Sequence, residues 1–210
     1  MQTLLERDPD LSVIVPVYNL EKYIEPMLTS FKMQELGGYK VEYIFVLNNC
    51  TDESERVIRE SGLECTILEC SEQGCGPARN VGFEASKGQY IWFMDGDDWL
   101  LSTRAIKLVL DAVYQNELSI LRIPFESDKF KMQYFSMVWQ YVLWRGLIKD
   151  IRFPAIQPCE DDRYMEKVLG RLGLNCWEYG AVPLISKPLY YYNYMREGSN
   201  MYRHSRGELL

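Results

Sequence analysis

Four apolar runs alternate with helical patterns over the first hundred residues, and this alternation constrains the fold more than any other feature. The runs are LSVIVPV at 11–17, VEYIFVL at 41–47, CTILEC at 65–70 and YIWFMD at 90–95. Nearly continuous apolar runs of this length are typical of strands that are covered on both faces. Alternation with helices at this spacing predicts an α/β fold with a mostly parallel central sheet flanked by helices.

The segments between the runs predict helices with recognisable ends. Pro16 is expected to end the first strand because proline cannot donate to a ladder. The first helix is expected from about Tyr23, with Asn19 as its cap and Pro26 tolerated near its start. The later helices are expected over about 53–61, from Pro77 to Gly88, and after a cap at Ser102 or Thr103.

Three carboxylic acids follow the fourth run directly. Asp95, Asp97 and Asp98 lie at the predicted carboxyl end of a strand, where ligands bind in open α/β sheets. Because burying unpaired charges is costly, a counter-charge is implied, and a divalent cation with oxygen ligands is the natural candidate. The alternative is a solvated acidic turn that caps the next helix, which is the commoner reading of an isolated DxD.

Composition excludes several other classes. The net charge of −7 argues against a nucleic-acid groove, so any bound phosphate must be met locally by a metal or a few arginines. Six cysteines without a CxxC pair and a single histidine, His204, argue against a zinc cluster. With no signal-peptide pattern and no apolar run near 18 residues, we expect a cytoplasmic protein with reduced thiols, at most peripherally bound at the inner face of the membrane.

Five stretches occur in a recognisable order along nearly the whole chain. They are LSVIVPVYNLEKYIEPMLTSF, GPARNVGFEASKGQYIWFMDGDDWL, VWQYVLWRGLIKDIRFP, CEDDRYMEKVL and YYYNYMREGSNM. Together they resemble the P-x-Y-N, A-R-N-x-G, D-x-D-D, E-D and C-terminal G-S segments of the family 2 glycosyltransferases. The resemblance implies a GT-A-type fold and an inverting, hexosyltransferase-like enzyme of polysaccharide biosynthesis.

The resemblance also implies roles for single residues. Asp95 would hold the donor ribose, while Asp97 would bind a Mn²⁺ or Mg²⁺ ion on the diphosphate, supported by Asp98. Loss of the leaving diphosphate would then be assisted electrostatically. Further donor contacts are implied for Pro16, Tyr18, Asn19, Asn48, Arg79, Arg196 and Ser199.

Two of these donor contacts carry open alternatives. Asn48 stands where the family usually has aspartates, which weakens the case for uridine, although uridine stays the first choice. Arg79 follows a Gly-rich loop near a helix start, so it can meet a base or phosphate, or instead pair with Glu84 on the surface.

Asp52 is interpreted mainly as a helix cap. Arg196 and Ser199 are expected to form a lid over the diphosphate.

The catalytic base is expected among the acids of CEDDRYMEKVL. They precede a helical pattern of Tyr164, Val168 and Leu169, which places them at a helix N-terminus. The residues alone leave Asp161 and Asp162 equal as base or cap. The resemblance to an E-D-x-x-aromatic pattern makes Asp161 the base and Glu160 an acceptor-positioning residue.

These expectations combine into one domain over 1–210, with a nucleotide-sugar-binding half at 11–100 and an acceptor half with the C-terminal tail at 101–210. The expected activity is metal-dependent, inverting transfer from a nucleoside diphosphate sugar, first of all a UDP-sugar, to a glycan or lipid-linked hydroxyl. The aromatic stretch at 134–147 is expected mainly as core, with a sugar-stacking or membrane-facing surface as the alternative.

Two other classes of function remain open. A non-catalytic nucleotide-sugar-binding or structural subunit would share the donor site and lack turnover. An aspartyl-phosphate phosphohydrolase would need threonine or valine where Trp99 follows Asp98, and it would leave Glu160-Asp161 without a role.

Overall fold

The computed structural model describes residues 7–127, 137–155, 160–194 and 197. Its strands are β1 (Leu11–Val17), β2 (Val41–Asn48), β3 (Thr66–Cys70), β4 (Tyr90–Phe93), β5 (Trp99–Leu100), β6 (Ile120–Arg122), β7 (Phe125–Glu126), β8 (Tyr141–Trp144) and β9 (Tyr190–Tyr191). Its helices are α1 (Glu25–Lys32), α2 (Ser54–Glu60), α3 (Cys75–Ala85), α4 (Ala105–Gln115), α5 (Arg145–Ile148) and α6 (Glu160–Arg171). Short 3₁₀ turns cover Val138–Gln140 and Cys176–Ala181.

The central sheet has the order β3-β2-β1-β4-β8-β6. Strands β1 to β4 pair in parallel, whereas β8 runs antiparallel to both of its neighbours. A small second sheet has the order β5-β9-β7. The prediction of an α/β fold with a mostly parallel central sheet flanked by helices is confirmed.

Two apolar clusters cover the two faces of this sheet. Alternate residues of β4 divide between them, because Tyr90 and Trp92 belong to one cluster and Ile91 and Phe93 to the other. Helices α1 and α4 pack on the first face, and α3 and α6 on the second. The stripe predicted for α4 is fully buried on the first face: Ile106, Val109, Leu110 and Val113.

The end of β1 differs from the sequence-based expectation. Pro16 lies inside the strand opposite Val46, and pairing continues to Val17. The N–H of Met94 donates to the carbonyl of Ile14, so the even-numbered residues of β1 turn their backbone groups towards β4. Since β4 pairing with β1 ends at Ile14, the missing N–H of Pro16 costs no ladder bond.

Helix starts also differ from the expected ones. Helix α1 begins at Glu25, with Ile24 rather than Asn19 in the cap position. Asn19 adopts a left-handed φ of 51° and bonds to the next loop instead. Helix α3 begins at Cys75, two residues before Pro77. In α4 the cap position is Arg104, whose N–H donates to the hydroxyl of Ser102.

The aromatic stretch at 134–147 is core over most of its described part, which begins at 137. Trp139 and Tyr141 are fully buried, and Trp139 stacks on Tyr190 with ring centroids 4.7 Å apart. Trp144 is the exposed member. Across the described ranges, no helix is long and apolar enough to cross a bilayer.

Two helical glycines predict opposite responses to the same substitution. In Gly82→Ala the new methyl of α3 overlaps Ile14 on β1, whereas in Gly170→Ala the methyl of α6 meets nothing within 4 Å. Alanine favours a helix by about 0.5–1 kcal/mol over glycine. Urea unfolding should therefore show Gly170→Ala stabilised and Gly82→Ala destabilised. Stabilisation of Gly82→Ala would contradict the close packing of α3 on the sheet.

Candidate active site

The candidate site lies where the strand order reverses. From β1 the chain passes to β2 and β3 on one side, and β4 then lies on the other side of β1. Ligands in open α/β sheets bind outside the carboxyl ends of the strands at such a switch point. The predicted donor residues Tyr18 and Asn19 follow β1 here, and the acid loop Asp95–Asp98 follows β4. Tyr18 is 46% exposed.

A glycine lets the acid loop approach β1 closely. A methyl group on Gly96 would stand 2.5 Å from Leu20 and 3.4 Å from the carbonyl oxygen of Pro16. A side chain between Asp95 and Asp97 would therefore displace the buried side chain of Leu20. The G in the D-G-D-D motif is therefore explained by packing.

A buried arginine joins two of the predicted site residues. Arg79, on α3, is 3% exposed, and its guanidinium donates to Asp95 at 2.7 Å and to Asp161 at 2.6 Å. Glu160 lies 4.0 Å from the same group. The guanidinium carbon also stands 5.3 Å from the centre of the Phe153 ring. The structure thus brings together Arg79, Asp95, Glu160 and Asp161.

This placement shows which protein groups hold Arg79. Both terminal nitrogens of its guanidinium bond to carboxylates, and the expected contact with a nucleotide stays a prediction. The surface alternative fails, because Glu84 pairs with Arg152. Although burial opposes it, Asp161 and Asp95 raise the pKa of the Arg79 guanidinium, which therefore stays charged.

Asp161 lies in the first turn of α6, as the sequence predicts. Its second oxygen accepts from the N–H of Val138 at 3.2 Å, and its side chain is 21% exposed. Burial raises the pKa of the Asp161 carboxyl to about 6, with Arg79 opposing the rise and Asp95 and Glu160 adding to it. The carboxylate is ionised at neutral pH, yet it accepts a proton more readily than an exposed aspartate.

Asp98, the last acid of the motif, bonds to the C-terminal segment. Asp98 is 1% exposed, and its oxygens accept from the hydroxyl of Tyr190 at 2.5 Å and the N–H of Asn193 at 2.8 Å. Burial, then Asp97 and Asp95, raise the pKa of the Asp98 carboxyl well above its usual range. Both oxygens of Asp98 thus bond to the C-terminal segment, and its expected support of the metal site stays a prediction.

The remaining acids fit a metal ion only together with a substrate. Within the described ranges, no group of three or more His, Cys, Asp and Glu side chains is arranged to hold an ion. Mg²⁺-type ions are commonly held by one or two carboxylates and completed by substrate phosphates. Asp97, half-buried beside Asp95, supplies hard oxygen atoms of that kind. The residues present fit Mg²⁺ or Mn²⁺ as a partner of a diphosphate.

Asn48 is also committed within the protein. Its amide donates to the carbonyls of Cys70 at 3.0 Å and Glu72 at 2.6 Å, and its oxygen accepts from the N–H of Gly74 at 2.8 Å. The expectation that Asn48 reads a base edge stays a prediction. An aspartate could not donate to these two carbonyls. The need to hold this loop therefore explains why an asparagine stands where the family pattern has an aspartate.

The loops after β1 and β2 are tied to each other. The side-chain oxygen of Asn19 accepts from the N–H of Thr51 at 2.8 Å, and Asp52 accepts from the N–H of Glu21 at 2.9 Å. Asp52 also accepts from the N–H of Ser54, the first residue of α2, although Glu53 rather than Asp52 takes the cap position. A cavity of about 340 Å³ opens beside these loops, lined by Asn19, Glu21, Lys22, Tyr23, Asp52 and Glu197.

Two predicted donor residues, Arg196 and Ser199, lie outside the described residues, as does His204. Pro16 is placed at the site through its backbone, since its carbonyl faces Gly96. The roles of Asp98 and Asn48 were missed from sequence, and only the unusual asparagine hinted at one of them.

Comparisons with known proteins found similarity to glycosyltransferases. The family model described as Glycosyl transferase family 2 matches residues 12–161. An uncharacterized glycosyltransferase of Haemophilus influenzae is 32% identical over 172 residues, which is 71% of this chain and 68% of that protein. The uncharacterized glycosyltransferase EpsJ of Bacillus subtilis is 33% identical over 120 residues, covering 56% of this chain and 34% of EpsJ.

Solved structures show the same fold. Staphylococcus aureus TarS 1-349 in complex with UDP-GlcNAc superposes with a TM-score of 0.79 at 22% identity, covering 92% of this chain and 60% of that one. The mannosyltransferase PcManGT of Pyrobaculum calidifontis, in complex with GDP-Man and Mn²⁺, gives a TM-score of 0.70 at 17% identity, covering 96% and 61%. The expected GT-A-type fold is confirmed. The chain spans about a third of EpsJ and about 60% of these structures.

The pairing of Arg79 with Asp161 predicts a measurable titration. Carboxyl ¹³C NMR should give Asp161 a pKa of about 6 in the parent. In Arg79→Gln the pKa should be higher, because the positive charge that lowers it is gone. Asp161→Asn identifies the resonance by removing it. A parent value near the ordinary ~4, or a lower value in Arg79→Gln, would contradict this electrostatic description.

Proposed function

Because the chain belongs to the family 2 glycosyltransferases, we propose that it transfers a sugar from a nucleoside diphosphate sugar to a hydroxyl group of a glycan or lipid-linked acceptor, with inversion. The observation that carries this proposal is the bridge from Asp95 through Arg79 to Asp161 at the switch point of the sheet. The bridge joins the acid proposed to hold the donor and the carboxylate proposed to accept the proton.

On the donor side, Asp95 accepts from the ribose hydroxyls through the oxygen that Arg79 leaves available. Tyr18 stacks against the base at the end of β1, where it is exposed. Asp97 holds the Mg²⁺ or Mn²⁺ ion together with the diphosphate. When bound, that ion neutralises the charge that develops on the leaving nucleoside diphosphate.

Uridine is the first choice for the nucleotide. The support is the UDP-GlcNAc held by the S. aureus TarS structure, while PcManGT holds GDP-Man. Since the amide of Asn48 is occupied by Cys70, Glu72 and Gly74, recognition of the base falls to Tyr18 and to the backbone of the loops after β1 and β2.

On the acceptor side, Asp161 takes the proton from the attacking hydroxyl. An inverting reaction needs one base on the face opposite the leaving group, and a carboxylate with a pKa of about 6 is ionised and still basic at neutral pH. The contacts with Arg79 and Val138 fix its orientation. Glu160, one residue earlier and 4.0 Å from Arg79, positions the acceptor.

The tail completes the proposal. Arg196 and Ser199 are proposed to donate hydrogen bonds to the diphosphate. Those of Arg196 would be charge-assisted bonds to phosphate oxygens. The support is Glu197, which lines the cavity beside the loops after β1 and β2.

The proposal predicts different effects for two adjacent acids. Asp161→Asn should lower the rate of sugar transfer by about 10²-fold or more, because it removes the general base. It should keep the affinity for UDP with Mn²⁺, measured by calorimetry. The control is Asp162→Asn, the same change on the exposed side of the same helical turn, which should transfer at nearly the parent rate.

Transfer is measured as UDP released from UDP-sugars with Mn²⁺ and a panel of saccharide acceptors. If Asp161→Asn keeps the parent rate while Asp162→Asn loses it, the base is misassigned by one residue. If the parent binds UDP-sugars but releases no UDP with any acceptor, the chain is a binding subunit instead.

A further inference from the structure

The acid loop is fastened to a segment far away in the sequence by one buried hydroxyl group. Tyr190 is fully buried and donates to Asp98 at 2.5 Å. The same hydroxyl oxygen accepts from the N–H of Asp95 at 3.3 Å. The N–H of Asp98 donates to the carbonyl of Asp95 at 3.1 Å. Both ends of the loop from Asp95 to Asp98 therefore bond to each other and to the hydroxyl of Tyr190.

The second oxygen of Asp98 extends the connection along the chain. It accepts from the backbone N–H of Asn193 at 2.8 Å, three residues beyond Tyr190. No lysine or arginine of the described ranges forms an ion pair with Asp98. Its carboxylate is therefore satisfied by the hydroxyl of Tyr190 and the N–H of Asn193, which both belong to the C-terminal segment.

The small sheet supports this connection independently. Strand β5 follows Asp98 directly and pairs with β9, with Leu100 opposite Tyr190 and Trp99 opposite Tyr191. The rings of Trp99 and Tyr191 stack with centroids 4.0 Å apart. Because these contacts do not involve the hydroxyl of Tyr190, its removal should loosen the acid loop and leave β9 paired.

The same part of the chain also contributes to the cavity beside the loops after β1 and β2. Glu197 lines that cavity together with Asn19 and Asp52. Tyr190 and Asn193 bond to the loop after β4.

We infer that Asp98 is a positioning residue rather than a metal ligand. With Tyr190 and the backbone of Asn193 it forms a latch that holds the acid loop and the C-terminal segment together. The latch keeps Asp95 and Asp97 where they meet the ribose and the metal-bound diphosphate. This inference rests on the proposed function for its nucleotide-binding consequence, and on the hydrogen-bond geometry alone for the latch itself.

The variant Tyr190→Phe separates the two roles of Asp98, because it removes the latch and leaves the carboxylate in place. A metal ligand released from its tyrosine would bind a metal-nucleotide complex as well as before, or better. A positioning residue deprived of its partner would bind it less well. The matched control is Tyr90→Phe, which removes the hydroxyl of another buried tyrosine, bonded at 2.9 Å to the carbonyl of Leu118 at the opposite end of β4.

The first measurement is the affinity for UDP with Mn²⁺ by isothermal titration calorimetry. We expect Tyr190→Phe to weaken it by about tenfold, equivalent to about 1.4 kcal/mol. We expect Tyr90→Phe to keep the parent affinity for UDP with Mn²⁺, and to shift Tm by about as much as Tyr190→Phe does. An unchanged or tighter Kd in Tyr190→Phe, or an equal loss in Tyr90→Phe, would overturn the positioning role.

The second measurement needs no ligand. Hydrogen exchange followed by mass spectrometry should show the backbone amides of the acid loop and of residues 192–194 exchanging at least about tenfold faster in Tyr190→Phe, since the opening free energy of a local unit falls when its bonds are lost. In Tyr90→Phe these amides should exchange at the parent rate. If the parent binds no UDP, the proposed function fails, and the exchange rates alone decide the latch. Unchanged exchange in Tyr190→Phe would overturn it.

Discussion

A single buried guanidinium determines how the candidate site is organised. Arg79 lies between Asp95, Asp161 and Glu160, three acids that would repel one another at this spacing without a cation. Its planar fork bonds to two carboxylates at once through two different nitrogen atoms, whose relative positions are fixed by the guanidinium plane. The geometry in turn requires α3 to lie close to the sheet and to the start of α6. Gly82 and Gly76 make this possible, because a methyl group at either position would meet β1 or the backbone at Pro154.

The division of work among the polar residues follows from this arrangement. Asp95, Asp97 and Asp161 are partly exposed and are proposed to meet the substrates. Asp98 is buried and ties the loop of Asp95 and Asp97 to the C-terminal segment, while the buried Asn48 holds the loop that leads into α3. Buried polar groups of this kind are stable only when every donor and acceptor is satisfied, and such networks specify one loop conformation. The residues that shape the site therefore differ from those proposed to do its chemistry, although both sets occur in the same short motifs.

Sequence reasoning predicted the parts of this picture that depend on local pattern. The apolar runs predicted β1 to β4, and the placement of Asp95 at a strand end follows from the acids after YIWFM. The acidic first turn of α6 could be predicted because Tyr164, Val168 and Leu169 repeat at helical spacing. The roles of Asp98 and Asn48 could not, because their partners are distant in sequence: Tyr190 follows Asp98 by 92 positions, and Gly74 follows Asn48 by 26. Arg79 was recognised as a site residue, but its burial depends on three elements packing together, which no local pattern reveals.

The central claim is that Arg79 and Asp161 form one coupled unit, and a double-mutant cycle measures that coupling directly. Free energies of unfolding in urea would be compared for the parent, Arg79→Gln, Asp161→Asn and the double variant. Removing the arginine alone leaves half-buried carboxylates without their cation, so the double variant should be more stable than the sum of the single losses predicts. The account predicts a coupling free energy of at least about 1 kcal/mol. Losses that add within about 0.5 kcal/mol would contradict it.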